Sequence, residues 1–319
     1  MAQVTGQGTA WNLPNYAGEL FTADAVQTPF LSMAGGLSGG RTTDNFEFPV
    51  ASLYDFPAAA QPEITETASA TAPAGIEFAR TQAKNVTQIF QHTIDLTYVQ
   101  LSNSGRLNGI NTAGAQNNVA NEHDWQVQQA LIKIARDVEY SFLNGSYQIA
   151  TDAATANKTR GMIELCSTGN TVAGGDAPLS KSMIDELLLK MANGGASFNR
   201  MVLFCGAYQK QAITNLYAAE YGAQMMRNDN VGGMNVTSVE TDFCQMGIVW
   251  DRFMPANTIL IADMAHVSPV FQVVPGKGVL FEEQLAKVGA SERSMIFGQI
   301  GLNHGPAFLH GTITGLSVA

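Results

Sequence analysis

Gly36-Leu37-Ser38-Gly39-Gly40 fits G-x-S-x-G, the sharp strand-to-helix turn that exposes a nucleophilic serine in α/β-hydrolases. Such a serine needs a base and an orienting acid, and His92 and Asp95, within QIFQHTIDLTYVQ (88–100), are the residue types that supply them. The surrounding pattern argues against the combination. Ser38 precedes RTTDNFEF, a strand by alternation, where a nucleophile turn requires a helix. Residues i and i+3 of a strand face opposite sides, so His92 and Asp95 cannot pair within one. His92 instead shares an extended face with Phe90, Ile94, Leu96 and Tyr98, the setting of a packed or interface histidine.

The remaining reactive groups are as poorly placed. His123 sits in the first turn of a predicted helix with no second ligand at helical spacing. His304 and His310 lack a cysteine or carboxylate at ligand spacing, and the side chains of Glu282 and Glu283 diverge on a strand. No H-E-x-x-H, phosphate-cradling loop or dinucleotide fingerprint occurs. Cys166, Cys205 and Cys244, odd in number and without repeating flanks, read as free thiols of a reducing, cytosolic setting. The expectation is a chain with no catalytic residue, no metal and no cofactor.

Composition points toward assembly. The 319 residues are 45% apolar, enough for a substantial core, yet only 14% are charged, against about 25% in typical soluble domains. So few charges imply surface hidden against partners, and the abundance of Gly, Ala, Thr, Ser and Asn suits an oligomeric α+β protein. The formal charge is −10 and the basic residues are scattered singly. That excludes a phosphate-neutralising stripe and attraction to an anionic membrane. The polar start lacks the order of a secretion signal, and no apolar run approaches the ~18 residues of a membrane span.

Several elements follow from periodicity. Residues 1–43 are rich in Gly, Ala and Thr, with one buriable knot at Phe30, Leu31 and Met33. Too little apolar surface is present to offset its ordering entropy alone, so this is an arm that must lie on something else. NFEFPV then alternates as a strand, with Pro49 favouring an edge, and a long returning strand runs from about Gly75 through Val99. Together they form a two-stranded excursion, marginal in water without a neighbour. Val127, Leu131, Ile134, Ala135, Val138 and Phe142 recur at three- and four-residue steps and predict a long helix over 119–144, stopped by Asn144-Gly145. A second helix follows Ser180. Then RMVLFC reads as a buried strand, AYQKQAITNLY as a helix, Ala218–Gly233 as a loop, and the remainder as strands.

One charge pattern stands out. No basic residue falls between Arg41 and Arg80, whereas Asp44, Glu47, Asp55, Glu63, Glu66 and Glu77 all do. These acids either keep the excursion soluble or are steered toward Lys133 and Arg136 of a neighbouring copy. Arg136, Asp137 and Glu139 themselves read as a solvated helix face.

The order of these parts, with TPFLSM in the arm, NVTQIFQ in the returning strand and IARDVEYSFLNG closing the long helix, resembles tailed-bacteriophage major capsid proteins of the Hong Kong 97-type fold. The resemblance implies an N-terminal arm at 1–43 and an extended β loop at 44–97. It further implies a peripheral domain at 98–179 and 265–319 that carries the long helix as a spine, and an axial domain at 180–264. It implies pentamers and hexamers of many copies in an icosahedral virion shell around double-stranded DNA, assembled in the host bacterial cytoplasm. Portal, scaffolding or decoration proteins are the further partners it suggests, with no membrane. Phe30, Asp55, Glu63, Glu66, His92, Lys133 and Arg136 are then expected at subunit contacts. Some relatives weld their shells through a lysine in the extended loop. Here Lys84, far from the tip, is the sole lysine of 44–97, so no such weld is expected. Because the sequence opens directly on the arm, scaffolding is expected to be separate or absent. An encapsulin-like nanocompartment shell is the alternative.

Overall fold

A computed structural model describes residues 28–54, 59–72, 75, 77–102, 122–221, 227–231 and 234–318. Asp55, most of the expected arm and the first three residues of the expected long helix lie outside them. The elements are α1 (Pro29–Ala34), β1 (Arg41–Thr43), β2 (Glu47–Tyr54), α2 (Glu66–Ser69), β3 (Arg80–Val86), β4 (Gln88–Thr97) and α3 (Tyr98–Ser102). Next come α4 (Glu122–Asn144), α5 (Met162–Ser167), β5 (Thr171–Ala173), α6 (Lys181–Asn193), β6 (Met201–Cys205) and α7 (Ala207–Tyr221). The chain closes through β7 (Arg227–Val231), β8 (Met234–Glu240), β9 (Gln245–Trp250), β10 (Ile259–Asp263), β11 (Ser268–Gln272), β12 (Leu280–Gln284), β13 (Ser291–Asn303) and β14 (Gly311–Thr314). Among the described residues, no helix is long and apolar enough to cross a membrane.

The first sheet is built on β13. Strand β4 pairs antiparallel along one side of it, from Gln88 opposite Ile300 to Thr97 opposite Ser291. Strands β12 and β11 share its other side, and β1 adds parallel to β11. Helix α4 lies against this sheet because its apolar stripe matches the turn of a helix: Ala130, Ile134, Val138 and Phe142 are buried with Phe90, Ile94 and Leu96 of β4 and Ile296, Ile300 and Leu302 of β13. The helix stops where expected. A side chain at Gly145 would place its Cβ 2.3 Å from the Ser141 carbonyl oxygen and 2.6 Å from that of Thr159, so only glycine lets the chain turn there.

The second sheet has seven strands, in the order β5-β14-β10-β6-β9-β8-β7. Strand β6 is buried throughout, and its alternation explains why. Met201, Leu203 and Cys205 face Ile184, Leu187, Leu188 and Met191 of α6, while Val202 and Phe204 enter the core that α4 shares with the first sheet. A single strand thereby fastens the two cores together.

Two expectations are revised. The returning strand is interrupted at Thr87: β3 pairs with β2 in an isolated two-stranded ribbon, whereas β4 belongs to the first sheet. Alternation runs through the break unchanged, because only the pairing partner switches. The segment 218–233, read as a loop, carries the end of α7 and strand β7. The seven-stranded sheet takes its strands β6 to β10 from within 180–264 and adds β5 and β14 from outside that range.

Candidate assembly interface

The ribbon leaves the body through a tightly specified base. Asn85, fully buried, donates from Nδ2 to the carbonyl oxygens of Leu302 (2.7 Å) and Arg160 (3.4 Å), and its Oδ1 accepts from the backbone N–H of Arg160 (2.8 Å) and Val86 (2.9 Å). All four hydrogen-bonding positions of the amide are filled, so one side chain fixes where the extension departs. Phe48 and Val86 are buried beside it over Gly301, where an added Cβ would stand 2.7 Å from the Phe48 ring. Beyond this base the described residues of the ribbon are mostly exposed, including the large apolar Ile64 (71%) and Phe78 (58%). Apolar surface of that kind on a thin projection marks a contact site.

Behind the ribbon, α1 is clamped to the body. Phe30 is wholly buried, edge-on to Phe204 (5.2 Å between ring centroids) and Phe142 (6.5 Å). Its side chain packs entirely within its own chain. Glu139 of α4 is also fully buried, rather than part of a solvated face. Its carboxyl oxygens accept the backbone N–H of Phe30 (2.8 Å) and Leu31 (2.6 Å), two of the donors that the start of α1 leaves unpaired. Burial, with Asp251 beside it, holds the Glu139 carboxyl well above the usual carboxylate range. Burial raises Asp251 too, against hydrogen bonds from Glu139 and from the Phe253 backbone N–H (2.8 Å). Sequence reasoning missed Glu139 because RDVEY looks like a charged surface run. The signal was present nonetheless, since Glu139 stands four residues after Ala135 and three before Phe142, along the edge of the apolar stripe.

The other expected contact residues are dispersed over the subunit. Glu63 and Glu66 are exposed on the ribbon, where Glu66 opens α2 behind an N-cap at Thr65. His92 is exposed on β4, opposite Ile296, and so lies in the sheet instead of the ribbon. Lys133 is exposed and bonded to Asp137 of its own helix. Arg136 is half-buried, with its guanidinium carbon 5.8 Å above the Phe253 ring.

The residues with chemical potential lie on different elements. Ser38 is exposed in the turn between α1 and β1, so a strand follows it. Asp95 pairs with Arg293 at 2.7 Å, which holds its carboxyl below the ordinary value. His123 ties the start of α4 to β12 through Glu282 (3.0 Å), with Ser294 Oγ 3.5 Å from the same ring nitrogen. Asp124, next in sequence, lies 3.7 Å from the other ring nitrogen, and Glu282 holds the nitrogen at which a serine would have to give up its proton.

Solved structures of phages and of an encapsulin share this shape. A cyanophage A-1(L) capsid subunit has a TM-score of 0.65 at 11% identity, covering 95% of this chain and 97% of its own. The holo-SrpI encapsulin complex from Synechococcus elongatus PCC 7942 gives 0.63 at 9% identity, covering 96% and 94%. A structure of Mycobacterium phage Patience gives 0.55 at 12% identity, covering 87% and 82%. No curated protein matches the chain. The fold is therefore of the Hong Kong 97 type, and that fold is the structural class of the chain. Within that class, the model of the SU10 major capsid protein family matches residues 3–317, and the chain belongs to this family.

Proposed function

We propose that many copies of this major capsid protein close into an icosahedral shell around the double-stranded DNA of a tailed phage, a structural and non-catalytic role. Assembly takes place in the host bacterial cytoplasm. The observation that carries this reading is the ribbon: a long, acidic, apolar-dotted extension with a rigidly pinned base and an exposed tip. Each copy lays its ribbon on a neighbour and receives one in return. Weak contacts repeated under closed symmetry give high avidity without a strong individual bond.

Residues 180–264, completed by β5 and β14, serve as the axial unit around pentamer and hexamer centres, and the first sheet with α4 serves as the peripheral unit. Glu63 and Glu66 face basic groups of the neighbour. Among these, Arg136 is better suited than Lys133, whose charge is already engaged by Asp137. The net charge of −10 suits a container that must admit and release DNA without gripping it. Portal, scaffolding and decoration proteins are partners consistent with this role.

Expressing the chain and imaging it by negative-stain microscopy tests the reading. Closed shells or tubes are expected from the full chain, and subunits with unchanged circular dichroism but no particles from a chain lacking residues 59–72. A monodisperse monomer from the intact chain overturns the proposal. The likeness to the SrpI encapsulin keeps a cargo-enclosing nanocompartment as the second reading. Protein cargo and no DNA in purified particles would select it.

A further inference from the structure

We propose that Glu139 and Asp251 share a single proton, forming an alkali-sensitive latch that holds α1 against α4 and the end of β9. Both residues are fully buried, Glu139 on α4 and Asp251 directly after β9, flanked by Val138, Val249 and Met254 of the same core. Asp251 Oδ1 takes the Phe253 backbone N–H, whereas Oδ2 is sealed from solvent and meets no protein donor. The group that meets the Asp251 carboxyl is the other carboxyl, and two carboxylates can be hydrogen-bonded only if a proton lies between them. Glu139 needs its remaining lone pairs for the Phe30 and Leu31 amides. A protonated Glu139 meets every demand at once: it accepts from both amides and donates to Asp251.

The charged groups around the pair do not supply a substitute. Helix α1 contributes backbone amides and no titratable side chain. On α4, Arg136 points to the Phe253 ring, and its buried Nε makes no hydrogen bond. Next to Asp251, Arg252 lies over the Trp250 ring with its guanidinium carbon 5.8 Å from the centroid. From β6, the Cys205 carbonyl oxygen accepts the Asp251 backbone N–H (3.0 Å), and the Cys205 thiol is itself pushed up to about 12. Lys210 of α7 acts on that thiol and is not among the groups that shift either carboxyl.

Opening the latch exposes both carboxyls to water, where they ionise at ordinary values. The closed form therefore binds one proton more than the open form at any pH between that ordinary range and its own raised value. Over this interval the opening equilibrium rises with pH, by up to about tenfold per unit. Stability from the shared proton is complete in acid and declines as pH rises.

Hydrogen exchange read by mass spectrometry on a peptide spanning Pro29–Ala34, in assembled full-length shells and corrected for the intrinsic alkaline acceleration, measures this equilibrium. Wild-type shells are expected to lose protection with a slope approaching one decade per pH unit. Asp251→Asn leaves the Phe253 contact in place and gives an ionised Glu139 a permanent N–H donor, so its profile should be flat. Should that variant fail to fold, Glu139→Gln supplies the same donor from the other side and should also be flat, at lower protection because one amide contact is lost. Infrared spectra give an independent readout: a protonated-carboxyl band at neutral pH in wild type, absent from Glu139→Gln. A flat wild-type profile, a slope unchanged in the variants, or no such band in wild type overturns the latch.

Discussion

Asn85 donates its side-chain amide to the Leu302 carbonyl oxygen at 2.7 Å, joining the end of ribbon strand β3 to the central strand of the first sheet. Replacing Asn85 by alanine leaves that carbonyl and the Arg160 N–H buried without partners, at a cost of about 2–4 kcal/mol. Asn85→Asp should be worse, since a carboxylate cannot donate to a carbonyl. Thermal unfolding of each variant, alongside particle yield, checks the order.

Gly301 faces the same base from β13. Gly301→Ala places a methyl group about where the Phe48 ring and the Val86 carbonyl oxygen (2.8 Å) already stand. Overpacking of this kind costs about 1–3 kcal/mol. Ribbon peptides should exchange hydrogen faster while those of α6 stay protected, and assembly should fall with them.

Stability should decline toward acid for a reason separate from the latch. Burial pushes His304 and His310 down from 6.5 to about 4. His310 is held neutral between the Asp263 N–H (3.2 Å) and the His304 carbonyl oxygen (2.7 Å). A histidine whose folded value is depressed binds fewer protons than in the unfolded chain. Its contribution, on the order of 3 kcal/mol each, is present above about pH 6.5 and lost as pH falls toward 4. With Glu139 acting in the opposite sense, melting temperature against pH should form a dome.

Thiol labelling should be selective. Burial lifts Cys166 and Cys205 to about 12, whereas Cys244 is only partly buried and less perturbed. At pH 8, iodoacetamide should modify Cys244 first in native particles and all three after denaturation, as counted by intact mass.

Boiled, reduced particles should run as one band. Lys84, the single lysine of 44–97, sits at the ribbon base with its Nζ 3.1 Å from Glu47 of the paired strand, remote from any tip-borne weld. A ladder of multimers would overturn this.

The parts of the fold legible in the sequence are those governed by local repetition. The three- and four-residue recurrence from Val127 to Phe142 specifies α4, and Gly145 specifies its end. What stayed hidden depends on distant partners. Alternation from Arg80 to Thr97 is continuous, and nothing local marks Thr87 as the point where pairing changes from β2 to β13. Glu139 meets residues more than a hundred positions away, so its neighbours Arg136 and Asp137 gave it the look of a surface acid. Phe30 was singled out correctly as buriable, but its pocket is formed by Phe142 and Phe204 of its own chain.

The single residue between β3 and β4 has a mechanical consequence. A pull on the ribbon passes through this one residue into β4, and a load directed along that strand meets its ladder with β13. Hydrogen bonds of an antiparallel ladder lie across the strand direction, so the load falls in shear on the whole pairing from Gln88 to Thr97 at once, instead of unzipping it rung by rung. Tension along the ribbon would thus be shared by ten residue pairs of the first sheet.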